Sequence, residues 1–384
     1  IKNKKIIKVK DTISFLNKFA KLKREHTLAK IIAITGSAGK TSLKKLIGDL
    51  LNNFGKTHSS PRSFNNYLGV PISLSNLNFD DKYGVFEVGM SRPGEIKSLT
   101  KLINPHLGVI TNIGEAHIEN FRNIHGIARA KSEIIESIKP GGTIILNRDD
   151  KFYKFLYKIA KSHKLNIFTF GKNKKSDVRL ERIVKKGSMS QIFINIDNQS
   201  INFKIRDLNI YNVLAALAVL KVLRINILKI KNKIDKFESP EGRGKKYNIN
   251  RYKKKFTLID ESYNANPLSV KNAINKFSLI KKGKFKKYLI LGDMLELGSK
   301  SKKYHGELSK VINNSDIDKI FIKGKKTIFT YKHLIEKKRG NILQNNEDID
   351  FVLKKIISNN DYIMIKGSNA TELYNFSKRM IKGI

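Results

Sequence analysis

The segment TGSAGKTS joins an apolar run to a glycine-rich turn that ends in Gly-Lys-Thr. Turns of this kind aim backbone N–H groups at a phosphate, while the lysine meets the terminal phosphates and the next hydroxyl ligates Mg²⁺. The residues predicted to bind a nucleotide's phosphates are Gly36, Ser37, Ala38, Gly39, Lys40, Thr41 and Ser42. The spacing is unusual, because Ile34 stands where the common phosphate loop has a glycine.

Polar residues also follow the next apolar runs. Glu87 lies near the end of YGVFEV, and His117 comes shortly after LGVIT. Ligands bind at the carboxyl ends of parallel strands, where a carboxylate and an imidazole could hold a divalent ion. Lys131 lies in the helical stretch GIARAKSEIIESI, either as a solvated lysine or as part of this site.

Two asparagine-containing clusters are further candidates. Asn209 and Asn212 precede an alanine-rich helix, and DESYNANP (260–267) directly follows an apolar run. Asp260 at a strand end could bond ribose hydroxyls, and asparagine amides could read an adenine edge. Asn-rich segments are usually only turns, so these assignments depend on the phosphate loop.

Apolar β-rich runs alternate with amphipathic helical stretches, which predicts an α/β protein with parallel sheets covered by helices. The runs cover residues 31–35, 83–88, 107–111, 143–147, 166–170, 256–260, 288–292, 319–322 and 362–366. Between about 177 and 205 the pattern favours short antiparallel strands. We therefore predict a central P-loop-type domain over 29–238, with a short antiparallel extension, and a smaller Rossmann-like domain over 239–384.

The amino-acid composition excludes several classes of protein function. The 384 residues contain no cysteine, which excludes disulfides and thiolate chemistry, and no run is apolar enough to span a membrane. The net charge of +43 is scattered along the chain, not clustered with aromatic residues as in a nucleic-acid binder. We expect a cytoplasmic protein with no nucleic-acid partner and no membrane insertion; a basic P-loop ATPase that depends on nucleic acid stays as an alternative.

The ordered motifs resemble those of the Mur ligases, which are ATP-dependent amide-bond-forming enzymes of cell-wall precursor synthesis. The segments that carry the resemblance are TGSAGKT, EVGM, ITNIGEAHIENF, IARAKSEI, the NxxNxLAALA helix start, EGRG, DESYNANP and LGDMLELG. They extend from about Ile6 to the C-terminus, and the short phosphate loop is the family's form of this turn.

Within the family, YNANP, GDMLELG and SFNNYLGVP are most similar to the member that joins D-alanyl-D-alanine to UDP-N-acetylmuramoyl-tripeptide through an acyl phosphate. The resemblance thus implies these two substrates, with ATP and Mg²⁺, and substrate contacts at Asn65 and Asn66 of the last segment. We expect a monomer. Another Mur-type amide ligase, either a tripeptide ligase or a folylpolyglutamate-type enzyme, is the alternative.

The resemblance also implies roles for single residues. Lys40, His117, Lys131 and Arg243 would be catalytic. Thr41 and Glu87 would hold one Mg²⁺, and His117 would hold a second together with Lys131, if that lysine is carbamylated. The implied ATP contacts are Asn209 and Asn212 on the adenine, Arg243 on the γ-phosphate, Asp260 on the ribose, and Asn264 and Asn266 near the base.

Two departures from the family pattern stand out. Leu208 replaces the histidine that usually precedes the adenine-contacting asparagine. Only the last segment of the family's N-terminal domain is visible, so residues 1–28 are expected to be a remnant of the domain that binds the UDP moiety.

Overall fold

The computed structural model describes residues 7–186, 189–206, 208–281 and 283–383. The chain divides into two units: the first runs to Ile113 and resumes over His125–Phe237, and the second combines Gly114–Ile124 with Glu238–Ile384. The segment Gly114–Ile124, predicted from sequence to lie in the central domain, thus groups with the second unit. Residues 1–6 of the predicted N-terminal remnant lie outside the described residues.

The first unit is built on a nine-stranded sheet with the order β2-β3-β1-β4-β5-β6-β7-β8-β9. The strands from β2 to β7 are parallel, and β8 and β9 continue the sheet antiparallel. This confirms the predicted parallel sheet and its antiparallel extension. The strands are β1 (Lys30–Thr35), β2 (Thr57–Ser59), β3 (Tyr83–Glu87), β4 (Leu107–Ile110), β5 (Thr143–Asn147), β6 (Asn166–Gly171), β7 (Val178–Lys186), β8 (Met189–Ile196) and β9 (Gln199–Ile205).

Helices cover this sheet. The most buried is α7, which is apolar on all sides and in which every residue from Asn212 to Leu220 is buried. Helix α2 begins at Lys40, directly after the glycine-rich turn. The helices are α1 (Thr12–His26), α2 (Lys40–Leu51), α3 (Gly69–Ser75), α4 (Glu95–Ile103), α5 (Ile124–Glu136), α6 (Tyr153–Ser162), α7 (Ile210–Val222) and α8 (Lys231–Ile234).

The second unit has a six-stranded sheet with the order β10-β11-β15-β12-β13-β14, parallel except for β10. Its strands are β10 (Lys245–Arg251), β11 (Lys254–Glu261), β12 (Lys287–Gly292), β13 (Lys319–Lys323), β14 (Arg339–Leu343) and β15 (Tyr362–Lys366). Its helices are α9 (Pro267–Ser278), α10 (Ser301–Asn313), α11 (Ile328–Tyr331), α12 (Asn346–Ile356) and α13 (Leu373–Lys382).

Three strands, β2, β10 and β14, are not among the runs predicted from the sequence. Each lies at an edge of its sheet, and their sequences THS, KKYNINR and RGNIL are short or polar. Edge strands are paired on one side only and need no continuous apolar run, so the pattern that reveals central strands is missing from them. Among the described residues, no helix has the length and apolar character needed to cross a membrane.

Candidate nucleotide and metal site

The phosphate loop connects β1 to α2 and requires glycine at two positions. Gly36 has φ +146°, and a Cβ there would lie 1.8 Å from Oγ1 of Thr111. Gly39 caps α2 with φ +86°, and a Cβ there would lie 2.8 Å from Oδ1 of Asn212. The predicted strand, glycine turn and helix are therefore all present, and both glycines permit a close approach of neighbouring groups.

Thr111 and Asn112, which follow β4, hold the main chain of the loop. The N–H groups of Ser37 and Ala38 donate to the carbonyl and side-chain oxygens of Asn112, at 3.0 and 2.9 Å. The carbonyl of Ala38 accepts from Oγ1 of Thr111 at 2.8 Å and from Nδ2 of Asn112 at 3.1 Å. Sequence reasoning missed both residues; their polar character at a strand's carboxyl end was the available signal.

The start of α2 suits an anion. Lys40 is its first residue, and its Nζ folds back over the loop to donate to the carbonyl of Gly36 at 2.8 Å. The first N–H groups of a helix have no partner within the helix, and the helix dipole adds partial positive charge there. Lys40 and the first turn, which includes Thr41 and Ser42, therefore present cationic and hydrogen-bonding groups beside the glycine turn.

Glu87, the last residue of β3, is 1% exposed. Its Oε1 accepts from Nδ2 of Asn65 at 2.7 Å, and its Oε2 lies 3.7 Å from Nζ of Lys44. The hydroxyl of Thr41 lies 3.4 Å from that of Ser63. The loop that contains Ser63 and Asn65 is therefore next to Thr41 and Glu87, the two residues predicted to hold the first Mg²⁺.

Asn66, the other predicted substrate residue, supports local structure. Its Oδ1 accepts from the N–H groups of Leu68 and Gly69 at 3.3 and 2.8 Å, where α3 begins. Its side-chain oxygen is thus used in the turn before the helix.

Lys131 lies in α5 and is 2% exposed, so it is not a solvated lysine. Burial lowers the pKa of its amine well below the usual value, and the positive charge of Lys40 lowers this pKa further. A lowered pKa favours the neutral amine, the form that carbamylation requires.

The two asparagines predicted to contact adenine lie at the start of α7. Asn209 is the N-cap, and its Oδ1 accepts from the N–H groups of Tyr211 and Asn212 at 2.9 and 3.3 Å. Nδ2 of Asn212 donates to the carbonyl of Gly39 at 3.3 Å, so the structure brings Asn212 to the phosphate loop. Leu208, the unusual residue before this cap, packs against the hydrophobic core.

Three predicted ATP contacts of the second unit occur around β11 and the turn that follows it. Asp260 is buried at the strand end, where its carboxylate accepts from the N–H of Gly242 at 2.9 Å and from the hydroxyl of Ser262. The guanidinium of Arg243 lies 4.4 Å from the ring centroid of Tyr263. Oδ1 of Asn264 accepts from the N–H of the next residue at 2.8 Å.

Asn266 is the N-cap of α9. Its Oδ1 accepts from the N–H of Ser269 at 2.8 Å, and its own N–H donates to the Ser269 hydroxyl at 3.0 Å, which completes a capping box. The side-chain oxygen of Asn266, a residue predicted to lie near the adenine base, is therefore used in the helix cap.

His117 belongs to the second unit. Its backbone is left-handed, with φ +57°, and its Nδ1 lies 2.6 Å from Oε2 of Glu296 in the LGDMLELG segment. This contact with the His117 ring lowers the pKa of the Glu296 carboxyl. Sequence reasoning did not identify this partner, since nothing in the order of the two segments connects them.

Within the described ranges, no group of three or more His, Asp or Glu side chains is arranged to hold a metal ion. The metal assignments of Thr41, Glu87, His117 and Lys131 therefore stay predictions.

Sequence comparison identifies the family. The Mur ligase middle domain matches residues 34–220, and the family described as "Mur ligase, glutamate ligase domain" matches residues 248–369. A UDP-N-acetylmuramoyl-tripeptide–D-alanyl-D-alanine ligase from Rickettsia prowazekii is 32% identical over 373 residues, which are 96% of this chain and 82% of the relative. The chain belongs to the Mur ligase family.

Two further Mur ligases support this assignment. The ligase of the same name from Buchnera aphidicola (Acyrthosiphon pisum) is 34% identical over 383 residues, covering 97% of this chain and 81% of the relative. A crystal structure of MurF from Acinetobacter baumannii superposes with a TM-score of 0.87 at 28% identity, covering 97% of this chain and 81% of that one. The predicted family and α/β fold are confirmed.

Proposed function

We propose that this protein is an ATP-dependent ligase that joins D-alanyl-D-alanine to UDP-N-acetylmuramoyl-tripeptide in peptidoglycan precursor synthesis. The observation that carries the proposal is the 32% identity over 96% of the chain with an enzyme named for this reaction. The phosphate loop, with its two required glycines and Lys40 at the helix start, supports ATP as the energy source.

The reaction takes place in two steps. A carboxylate oxygen of the peptide attacks the γ-phosphorus of ATP, the bond to ADP breaks, and an acyl phosphate forms. The amine of D-alanyl-D-alanine then attacks the acyl carbon, the C–O bond to phosphate breaks, inorganic phosphate leaves, and the amine proton passes to solvent. Neither step needs a nucleophilic side chain.

The chain contributes positioning and charge neutralisation. Lys40 donates to the carbonyl of Gly36; with ATP bound, its ammonium turns to the γ-phosphate. The N–H groups of the first turn of α2 stabilise the negative charge that moves onto the leaving phosphate. The N–H groups are in place before the nucleotide binds, whereas the Lys40 ammonium exchanges the Gly36 carbonyl for the phosphate.

The residues also fit Mg²⁺, because the Thr41 hydroxyl and the Glu87 carboxylate are the hard oxygen donors that this ion prefers. A Mg²⁺ held by these two residues would supply positive charge that offsets the charge of the phosphates. The buried Lys131, with its lowered pKa, suits carbamylation, which would give it a metal-binding carboxylate. Metal binding by His117, nucleotide contacts by Arg243, Asp260, Asn209, Asn264 and Asn266, and the monomeric state stay predictions.

The test is phosphate release from ATP in the presence of UDP-N-acetylmuramoyl-tripeptide and Mg²⁺, with and without D-alanyl-D-alanine. We expect release to require the dipeptide and the product to contain both substrates by mass spectrometry. Release with UDP-N-acetylmuramoyl-dipeptide and a diamino acid, or with a folate and L-glutamate, in place of the two substrates would instead assign another amide ligase. Release that depends on added nucleic acid would favour the ATPase alternative.

The Lys40→Ala substitution checks the phosphate site in the same assay. It should remove turnover, because the γ-phosphate loses its cation, whereas Lys45→Ala in the same helix should not, since the half-buried Lys45 pairs with Asp49. Near-normal turnover of the Lys40 variant would contradict the role given to this lysine.

A further inference from the structure

Lys44 is a buried cation that has no part in the chemistry described above. It lies one helical turn after Lys40 in α2, on the same side of the helix, and is 3% exposed. A lysine in a helix is ordinarily solvated, and burying its ammonium is unfavourable unless partners compensate the charge. The partners of Lys44 therefore indicate why it is buried.

Lys44 connects three parts of the first unit. Its Nζ donates to the carbonyl of Arg62 and lies 3.7 Å from Oε2 of Glu87. Arg62 itself has a left-handed backbone, with φ +44°. One ammonium thus links the phosphate-loop helix, the loop over residues 60–66, and the carboxylate at the end of β3.

The loop over residues 60–66 is attached to the same strand end by three more hydrogen bonds. Asn65 donates through Nδ2 to Oε1 of Glu87 at 2.7 Å, and the carbonyl of Asn65 accepts from the N–H of Gly89 at 2.8 Å. The N–H of Glu87 donates to the hydroxyl of Ser60 at 3.2 Å. The two carboxylate oxygens of Glu87 therefore face different partners, Asn65 on one side and Lys44 on the other.

We propose that Lys44 is a positioning residue for the metal-binding carboxylate. The hydrogen bond from Asn65 holds one oxygen of the Glu87 carboxylate, and the ammonium of Lys44 lies beside the other oxygen, so these two partners act together on the orientation of its plane. Through Arg62, the same ammonium holds the Asn65 loop against α2. The inference rests on the proposed function in one respect, namely that Glu87 is a ligand of Mg²⁺.

The alternative is that Lys44 forms an ion pair that only stabilises the fold. The two roles predict different effects of a Lys44 substitution on metal affinity and on stability. Partners that orient metal ligands typically alter metal affinity by about 10- to 100-fold. A purely structural ion pair would lower stability and affect nucleotide binding equally with and without the metal.

The experiment measures ADP binding by calorimetry in excess EDTA and across a Mg²⁺ titration. The test variant is Lys44→Met, which keeps the apolar stem and removes the ammonium. Lys44→Arg restores the charge, and Lys45→Met is the matched control, since it removes a partly exposed ammonium, paired with Asp49, from the next position of the helix. Thermal unfolding of each variant reports stability separately.

We expect Lys44→Met to raise the Mg²⁺ concentration for half-maximal enhancement of ADP binding by about tenfold. Its ADP affinity in EDTA should stay within about twofold of the wild type, because no contact to the nucleotide is lost. Lys44→Arg should recover most of the Mg²⁺ response, and Lys45→Met should match the wild type. An unchanged Mg²⁺ response, or an equal loss of affinity with and without Mg²⁺, would overturn the proposal.

If Lys44→Met does not fold, Lys44→Gln takes its place in the same experiment, because glutamine retains a donor for the Arg62 carbonyl but carries no charge. An unchanged Mg²⁺ response, or an equal loss of affinity with and without Mg²⁺, would again overturn the proposal. Because ADP binding requires no turnover, a failure here is distinguishable from a failure of the proposed function. If dipeptide-dependent phosphate release is absent while the tenfold Mg²⁺ shift is present, the assigned reaction is wrong and the role of Lys44 stands.

Discussion

Gly39→Ala should weaken nucleotide binding, and Gly94→Ala should not, although the two glycines have nearly the same backbone conformation. Both are helix N-caps, with φ +86° and ψ −9° at Gly39 and φ +85° and ψ −18° at Gly94. An alanine in this left-handed region costs about 1–2 kcal/mol. Each substitution should therefore reduce the free energy of unfolding by at least that amount.

The two sites differ in their surroundings. A Cβ at Gly39 would lie 2.8 Å from Oδ1 of Asn212, whereas a Cβ at Gly94 would meet nothing within 4 Å. Asn212 would have to move and lose its 3.3 Å hydrogen bond to the carbonyl of Gly39, a loss of about 1 kcal/mol. We thus expect destabilisation of about 2–3 kcal/mol for Gly39→Ala and about 1–2 kcal/mol for Gly94→Ala.

Urea unfolding followed by circular dichroism measures both values, and calorimetry with a non-hydrolysable ATP analogue measures binding. A displaced phosphate loop should raise the Kd of Gly39→Ala about tenfold, which corresponds to 1.4 kcal/mol, and leave Gly94→Ala within about twofold. In an Asn212→Ala background, Gly39→Ala should be no more destabilising than Gly94→Ala. Equal effects of the two single substitutions on stability and on binding would refute this reasoning.

Three further predictions concern single side chains. Burial, and then the charges of nearby lysines and an arginine, lower the pKa of His106 from 6.5 to about 4, and its Nδ1 accepts from the N–H of Ile31 at 2.9 Å. Neutral His106 therefore stabilises the folded state fully above pH 6.5, and this contribution to the free energy of unfolding is lost as the pH falls to 4. The pKa shift corresponds to at most about 3 kcal/mol, which solvent screening reduces to about 1–2 kcal/mol. Between pH 7 and pH 4, the free energy of unfolding in urea should fall by about 1–2 kcal/mol more for the wild type than for His106→Asn. Equal losses would argue against this role of His106. Lys131→Ala should abolish turnover. If the wild-type lysine carries a carbamate, added formate or acetate should restore phosphate release by this variant; unchanged phosphate release without them would contradict the role. Asn266→Ala should destabilise the second unit by about 1 kcal/mol in urea unfolding, and Asn266→Ser by less, because serine also caps helices; equal losses would show that the cap is unimportant.

Central strands were predictable from the sequence, as β5 and β15 show. Both match the predicted apolar runs residue for residue, because a parallel strand covered on both faces is apolar along most of its length. The phosphate loop was predictable for a related reason, since its left-handed backbone demands glycine at fixed positions in a short segment. These signals are local, so they can be read without knowing the fold.

The partners of the site were not predictable in this way. Asn112 reaches the loop because β4 pairs with β1 in the sheet, although more than 70 residues separate the two contacting residues. Lys44 is one of many lysines in a chain with a net charge of +43, and only the fold shows that it is buried beside Glu87. Asn266 follows the family pattern, yet its side-chain oxygen caps a helix. Residue type and order do not determine such tertiary pairings.

The hydrogen bonds that connect Thr111 and Asn112 to the phosphate loop affect the kinetics of nucleotide binding. A flexible loop must lose conformational entropy when it closes around a ligand, and this loss is subtracted from the affinity. Here four hydrogen bonds already order the turn from the side of β4. Association should therefore take place in one step at this loop, without a slow rearrangement, and the rate at which ADP leaves should depend on its own contacts rather than on loop opening.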